Sequence, residues 1–385
     1  MSASLASKAA FVGRRFVAGK TPYRTTRRAA PAIRAAAPSD DAALSRALRT
    51  VNTGGLMRGS TRVGDAHVME ADTTTKATTE KEETPQDTQE TPVPTTAAFS
   101  SSAEIQYTLQ GPPPKKFGVA DGELGNVLSA SGSFLTRAVS GALCEGWNVS
   151  LVQGECPRDT YTFGEFGGRY VKETSDVSKF ARPQIQLELY EFEGCPFCKK
   201  VREAVIWLDL DVLFYPCPQG GPNFREQIKQ RGGKSMFPYM VDPNTKIEMY
   251  ESDDIIDYLY DTYGPGKEKV SSLLLAGALT VLTAGFGLAP RMGAGSRYTP
   301  ATMPAKPITV YSYEASPFCK LVREKLVELE LPHLMKSSGR GSPKRQELFD
   351  KRGMFQAPYI EDPNTGIAMF ESSAIAKYLE QTYAK

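Results

Sequence analysis

Two short stretches hold the residues best placed to do chemistry. Gly194 to Glu203 reads GCPFCKKVRE, and Ala315 to Glu324 reads ASPFCKLVRE, the same phrase with Ser316 where the first copy has Cys195. A strand-like run precedes each (IQLELYEF, Ile185 to Phe192; ITVYSYE, Ile308 to Glu314) and a helical apolar pattern follows, so each phrase sits at a strand-to-helix junction. A CxxC placed there is a redox signature. Cys195 falls at the amino end of the helix with Pro196 at its first position, where the missing N–H has no helical partner to lose. The unpaired amides and the helix dipole favour a negative sulfur, and Lys199, Lys200 and Arg202 are expected to add positive potential. A fall in thiol pKa from about 8.5 to about 6.5 would raise the thiolate fraction near pH 7 from roughly 3% to roughly 75%. Cys198, one turn on and on the same face, is placed to resolve a mixed disulfide, so Cys195 and Cys198 are the catalytic candidates. Ser316 can form no disulfide and its hydroxyl is too weak an acid for thiol exchange, which leaves Cys319 in a resolving position with nothing to resolve.

The elements around these phrases also come twice. A second strand (VLFYPC; LPHLMKSS, the weaker pattern) is followed by a polar helix (NFREQIKQRG; SPKRQELFDKRG). Then come FPYMVDPNTKIEMYES and APYIEDPNTGIAMFES, where DPNT sets proline at the second position of a tight turn and predicts a hairpin. A last helix (DDIIDYLYDTY; SAIAKYLEQTY) closes each unit. The order βαβαββα is that of a thioredoxin-like sheet covered by helices, and the fold class is α/β. Cys198 and Cys319 lie 121 positions apart, Pro238 and Pro358 120 apart, with the lost residue assigned where GGKSMFP becomes GMFQAP. Duplication is the firmest reading, giving tandem domains at 183–264 and 306–385 joined by an apolar helical linker at 265–305.

Residues 1–36 contain eight Lys or Arg and no acid, with many Ser, Thr and Ala, the composition of an organelle transit peptide. Removing those eight from 46 basic groups leaves 38 against 44 acidic ones, so the formal charge of +2 becomes −6 and no nucleic-acid partner is expected. Residues 37–102 are polar and repetitive, too poor in apolar groups to offset chain entropy, and are expected to be disordered. Residues 103–182 read as a partly ordered lead-in, with helical apolar spacing in ELGNVLSASGSFLTRAVSGALCEGW. Six cysteines in 385 residues are no disulfide framework, and the two histidines, His67 and His333, are too few and scattered for a metal site. The uncharged run 271–290 is long enough to cross a bilayer, but its glycines and threonines favour a buried helical connector over a membrane span.

These motifs resemble glutaredoxins and the amino-terminal domain of glutathione transferases over roughly 183–263 and 307–383. The tandem arrangement behind a basic leader, with EFGGRYVKETS (Glu165 to Ser175) as lead-in, resembles a plant and algal plastid family of paired thioredoxin-fold proteins. The CPFC version also resembles membrane-associated prostaglandin E synthases. The resemblance implies a chloroplast location in the stroma or at a membrane, glutathione as cofactor and a protein disulfide as substrate. It implies that Pro238 and Pro358 are cis-prolines opposite the active-site position, with the backbone of Phe237 and Ala357 pairing with the cysteinyl part of glutathione. Glu251 and Ser252, and in the second copy Glu371 and Ser372, match the pair that holds the γ-glutamyl end. Glutaredoxins usually carry a lysine before CPxC, whereas here Glu191 and Glu193 flank the site, so Arg225, Arg231 or Lys234 would have to meet the glycine carboxylate. A glutathione transferase also needs an all-helical second domain, and the sequence stops at Lys385, so broad transferase activity is not expected. The resulting expectation is a glutathione-linked thiol–disulfide oxidoreductase working at the first repeat, the second being degenerate. The alternative is a non-enzymatic module that binds glutathione or a protein, and a third reading, an isomerase of the prostaglandin-synthase type, needs an apolar cavity beside Cys195.

Overall fold

The computed structural model describes residues 105–385, apart from 116–117, 138–139 and 276. The transit peptide and spacer read from the sequence lie outside the described residues. Ahead of the first repeat come strand β1 (Thr108–Gln110), helices α1 (Leu124–Ala130) and α2 (Gly132–Arg137), and strands β2 (Asn148–Gln153), β3 (Glu165–Phe166) and β4 (Arg169–Thr174). The last three form a small antiparallel sheet in the order β2-β4-β3. The first repeat is β5 (Leu187–Glu191), α3 (Pro196–Trp207), β6 (Asp211–Pro216), α4 (Phe224–Gly232), β7 (Tyr239–Asp242), β8 (Ile247–Met249) and α5 (Ser252–Tyr263). After α6 (Ser272–Leu275) and α7 (Ala278–Leu288), the second repeat is β9 (Ile308–Ser312), α8 (Pro317–Glu328), β10 (His333–Ser337), α9 (Lys344–Arg352), β11 (Tyr359–Asp362), β12 (Ile367–Phe370) and α10 (Ser372–Tyr383).

Each repeat is the expected βαβαββα unit, and its local devices are copied to a tenth of an ångström. Within each DPNT turn the aspartate accepts from an asparagine amide two residues on, Asp242 at 2.8 Å and Asp362 at 2.9 Å. The same carboxylates accept from two tyrosine hydroxyls of the closing helix, Tyr258 and Tyr263 or Tyr378 and Tyr383, all at 2.6 Å. The hairpin is thus tied to α5 or α10, which helps to present the residues that follow it. The one-residue change in spacing falls earlier than the sequence suggested. Ile228 and Leu348, both fully buried, and the left-handed helix-end glycines Gly233 and Gly353 are already 120 apart, so the change lies in the loop before α4 and α9.

The sequence predicted two domains held by a linker, whereas the structure joins them into one sheet of nine strands, β1-β12-β11-β9-β10-β6-β5-β7-β8. The seam is antiparallel pairing of β6 with β10, in which Leu213 faces Leu334. Those residues are 121 apart and hold the same place in each copy, so an approximate twofold axis passes between them. Strand pairing of this kind leaves no local pattern, because each strand needs only an apolar face and an available edge. Across the seam Phe214 stacks on His333 at 5.3 Å, and burial pushes the imidazole pKa down to about 4.

The symmetry extends to the segments before each repeat. Arg137 donates to Glu203 and, at 3.0 Å, to Thr283; Arg291 donates to Glu324 and, at 2.8 Å, to Ser129. Arg137 and Arg291, like Ser129 and Thr283, are 154 apart, which marks α1–α2 and α7 as a second duplicated element. Four positions after each arginine, Gly141 and Gly295 come so close to Glu314 and Glu193 that an added Cβ would stand 2.9 and 2.6 Å from those glutamates' Cβ atoms. The run 271–290 is helical but broken at Gly277, and no helix among the described residues is long and apolar enough to cross a membrane. It is also less buried than expected: Leu274, Thr280 and Ala284 face inward, while Leu279, Leu282 and Phe286 are 59–69% exposed.

Candidate functional site

Cys195 caps α3, and its sulfur accepts the Cys198 amide at 3.2 Å. On its other side the thiol points at the Phe237 carbonyl, 3.9 Å away, directly before the cis peptide to Pro238. Cys195 is 5% exposed and Cys198 not at all, so only the first sulfur is within reach of a reactant. A hydrogen bond with the Cys198 side chain, joined by the amide, outweighs burial and lowers the Cys195 pKa. Burial pushes Cys198 well up, so the proton stays on the inner sulfur. A thiolate outside and a protonated thiol behind it is the division of labour that disulfide exchange needs.

The cationic help expected from the helix is not available. Lys199 is bound to Glu314 at 2.7 Å and Glu203 at 3.4 Å, Lys200 pairs with Asp253, and Arg202 is held by Glu191, Glu193 and Glu314. The counterparts Lys320 and Arg323 reach back to Glu193 at 2.9 and 3.1 Å. All but Asp253 of these groups are buried, so the helices carrying the two phrases are clamped by reciprocal ion pairs, and the glutamate before each phrase serves the other repeat. Sequence reasoning treated Glu193 as an obstacle to glutathione; its carboxylate faces inward to this clamp. Glu191 differs, because burial lifts its pKa to about 7 despite Arg202, and its charge acts to raise both Cys195 and Cys198.

Of the three cations proposed for the glycine carboxylate, Arg231 is engaged by Glu248 at 2.6 and 2.7 Å, and Lys234 lies exposed beyond the helix end. Arg225 is at the mouth of the site. Its Nε donates to the Cys217 and Pro218 carbonyls at 3.0 and 2.7 Å, and its guanidinium lies 5.6 and 4.9 Å from the rings of Phe192 and Phe237. The two Nη atoms make no hydrogen bond among the described residues. Glu251, at φ 65°, is exposed at the start of α5 with no hydrogen bond to its side chain among the described residues, and Ser252 is buried beside it. The structure therefore gathers Cys195, Cys198, Phe237, Pro238, Arg225, Glu251 and Ser252 along one end of the first repeat's sheet.

The second repeat repeats this frame in a different state. The Ser316 hydroxyl accepts the Cys319 amide at 3.2 Å, as Cys195 does, and Ala357–Pro358 is also cis. Yet Glu371 accepts the Lys115 backbone amide and the Gln356 side-chain amide, each at 2.7 Å, beside Ser372. Arg345, the counterpart of Arg225, donates to the Tyr161 hydroxyl at 2.8 Å. Segments ahead of the first repeat thus fill the positions a ligand would take in the second.

The first repeat and the second each match the profile of the glutathione S-transferase N-terminal domain, over residues 189–268 and 310–385. The chain is similar to prostaglandin E synthase 2 of Danio rerio, with 35% identity over 92 residues, 24% of this chain and 23% of that protein. The chain therefore spans under a quarter of that curated relative. Among solved structures it is similar to a trimeric glutathione transferase, TDR1, of Leishmania, at 17% identity, covering 52% of this chain and 67% of that one with a TM-score of 0.18, from which nothing further follows.

Proposed function

We propose that the protein is a plastid glutathione-linked thiol–disulfide oxidoreductase that works at Cys195. The observation that supports this most is the pairing of an outer sulfur of lowered pKa with a fully buried Cys198 whose amide already contacts it. Cys195 thiolate attacks one sulfur of a protein disulfide, forming a mixed disulfide and releasing the other as a thiol. Cys198, losing its proton, displaces the protein's second thiol and closes the Cys195–Cys198 disulfide. Two molecules of glutathione then restore the dithiol and leave as glutathione disulfide. Glutathione is taken with its glycine carboxylate toward Arg225, its cysteinyl backbone along Phe237 and its γ-glutamyl end at Glu251 and Ser252.

The second repeat, with Ser316 in place of the nucleophile and Glu371 already engaged, is a scaffold for the first. An exposed face of Leu279, Leu282 and Phe286 suits peripheral attachment to a membrane or partner. The isomerase reading is not favoured. A cavity of ≈ 220 Å³ runs beside the phrase, lined by Gly194, Pro196, Leu288 and Ala289 among others, but Cys195 is not one of its walls. The test is turnover of a glutathionylated peptide, read as glutathione disulfide formed. Activity that disappears in Cys195→Ser and persists in Cys198→Ser through the single-cysteine route supports the proposal. Full activity in Cys195→Ser, or none in the native protein, leaves the non-enzymatic binding module as the reading.

A further inference from the structure

The two ends of the nine-stranded sheet are related by the approximate twofold axis, but among the described residues only one is covered. At the second repeat's end, β1 adds to β12 in parallel, with Thr108 beside Ile367 and Gln110 beside Met369, and the Thr108 amide donates to the Gly366 carbonyl at 2.8 Å. The chain then turns at Gly111, passes three prolines, and delivers the Lys115 amide to Glu371. From there it runs on to α1, which packs against α8, the helix that begins at Pro317 directly after Ser316. One segment therefore passes from the sheet edge to the glutamate, and the chain beyond it packs against the helix that Ser316 caps.

At the first repeat's end the matching edge is β8, which among the described residues pairs only with β7. Lys246 shares the left-handed backbone of Gly366, with φ of 63° and 72°. Ile247 and Met236 are 37% and 46% exposed, and the Glu248 side chain is folded back onto Arg231 and Tyr239. An edge with free backbone groups, flanking apolar side chains and an unpartnered carboxylate is a template for an added strand.

We propose that β8 takes an extended segment of the protein substrate by parallel strand addition, in the mode that residues 108–115 display on β12, with a backbone amide of the segment given to Glu251. The inference rests on the oxidoreductase reading and names its substrate class: a protein whose reactive cysteine follows an exposed extended stretch, rather than a small disulfide. The strand aligns the stretch, and the residues after it are led across Glu251 to Cys195.

A synthetic peptide of residues 105–115 is the probe, added to the full chain and to its Cys195→Ser variant and followed by hydrogen exchange. In parallel pairing alternate residues face the partner, so N-methylation at Thr108 blocks the ladder whereas N-methylation at Leu109 spares it. The proposal expects slowed exchange at the Glu248 amide, the counterpart of Ala368 beside β1, in both proteins, lost with the peptide methylated at Thr108, kept with that methylated at Leu109, and weakened by Glu251→Gln. No slowing at β8, or slowing indifferent to methylation at Thr108, overturns it. So does protection of β8 without peptide that rises with protein concentration, which would make a second copy the occupant. The peptide carries no cysteine, so protection of β8 tests the docking edge alone; the oxidoreductase reading fails separately, if glutathione disulfide formed from a glutathionylated peptide is the same in the native protein and in Cys195→Ser.

Discussion

Replacing Glu314 by glutamine removes the charge that meets Lys199 at 2.7 Å, Arg202 at 3.0 Å and Arg323 at 3.1 Å, all of them at most 3% exposed. Breaking a buried ion pair from one side leaves uncompensated charge and costs about 3–5 kcal/mol; the amide still accepts one hydrogen bond, so a loss of about 3 kcal/mol is expected. At roughly 2–4 °C per kcal/mol for a unit of this size, the melting temperature should fall by about 6–12 °C. Burial alone would raise the Glu314 pKa, but Arg202, Arg323 and Lys199 hold it down at about 2, below its ordinary value of 4.5. A depressed folded-state value contributes stability that is complete above the unfolded value and fades as pH falls toward the folded one. The gap between native protein and variant should therefore be steady around neutrality and narrow below about pH 4. Thermal melting followed by circular dichroism at pH 7 and pH 3 measures both. Adding Lys199→Met to the variant should recover part of the loss, since it deletes one stranded cation. A shift of under about 2 °C at pH 7, or a gap that widens in acid, would refute the claim that the repeats are clamped through this network.

Three further outcomes follow from the geometry. Ultraviolet titration of the thiolate should show Cys195 ionising below its ordinary range, and Cys198→Ala should move that titration upward, because the Cys198 hydrogen bond is its largest stabiliser. Arg225→Ala should raise the KM for glutathione by about tenfold, the loss of one charged hydrogen bond, with that titration unchanged; steady-state kinetics with varied glutathione checks it. Gly295→Ala should cost about 1–3 kcal/mol in chemical denaturation, since φ there is 73° and the new Cβ would stand 2.6 Å from the Glu193 Cβ.

Much of the fold was legible in the sequence because its signals are local. Pro196 after a capping residue, the DPNT turns and the apolar spacing of VREAVIWLDL each act within one element, and the duplication showed every element of the βαβαββα unit twice. The edge-to-edge sheet was not legible, since Leu213 and Leu334 look like any strand residues until their strands meet. At the site, the resemblance set a cis-Pro238 and the Phe237 backbone opposite Cys195, and the structure has that peptide cis with the Phe237 carbonyl 3.9 Å from the Cys195 sulfur. The roles of Lys199, Lys200, Arg202 and Glu193 were misjudged, because a charge next to a cysteine in sequence says nothing about which partner it faces. A signal did exist: Arg137 and Gly141 recur as Arg291 and Gly295 with the same internal spacing, which announced a second duplicated element contacting the glutamates. The asymmetry between the open first site and the second, filled by Lys115 and Tyr161, had no counterpart in the repeats themselves.

The most direct measurement is mass-spectrometric mapping of cysteine modification after the protein, cut near Ala37, is incubated with glutathione disulfide, alongside Cys195→Ser. The account predicts a glutathione adduct on Cys195 or a Cys195–Cys198 disulfide, with Cys144, Cys217 and Cys319 unmodified because they are at most 1% exposed against 5% for Cys195, and neither product in the variant. An unmodified Cys195 in folded protein, or equal labelling of the buried cysteines, would contradict it.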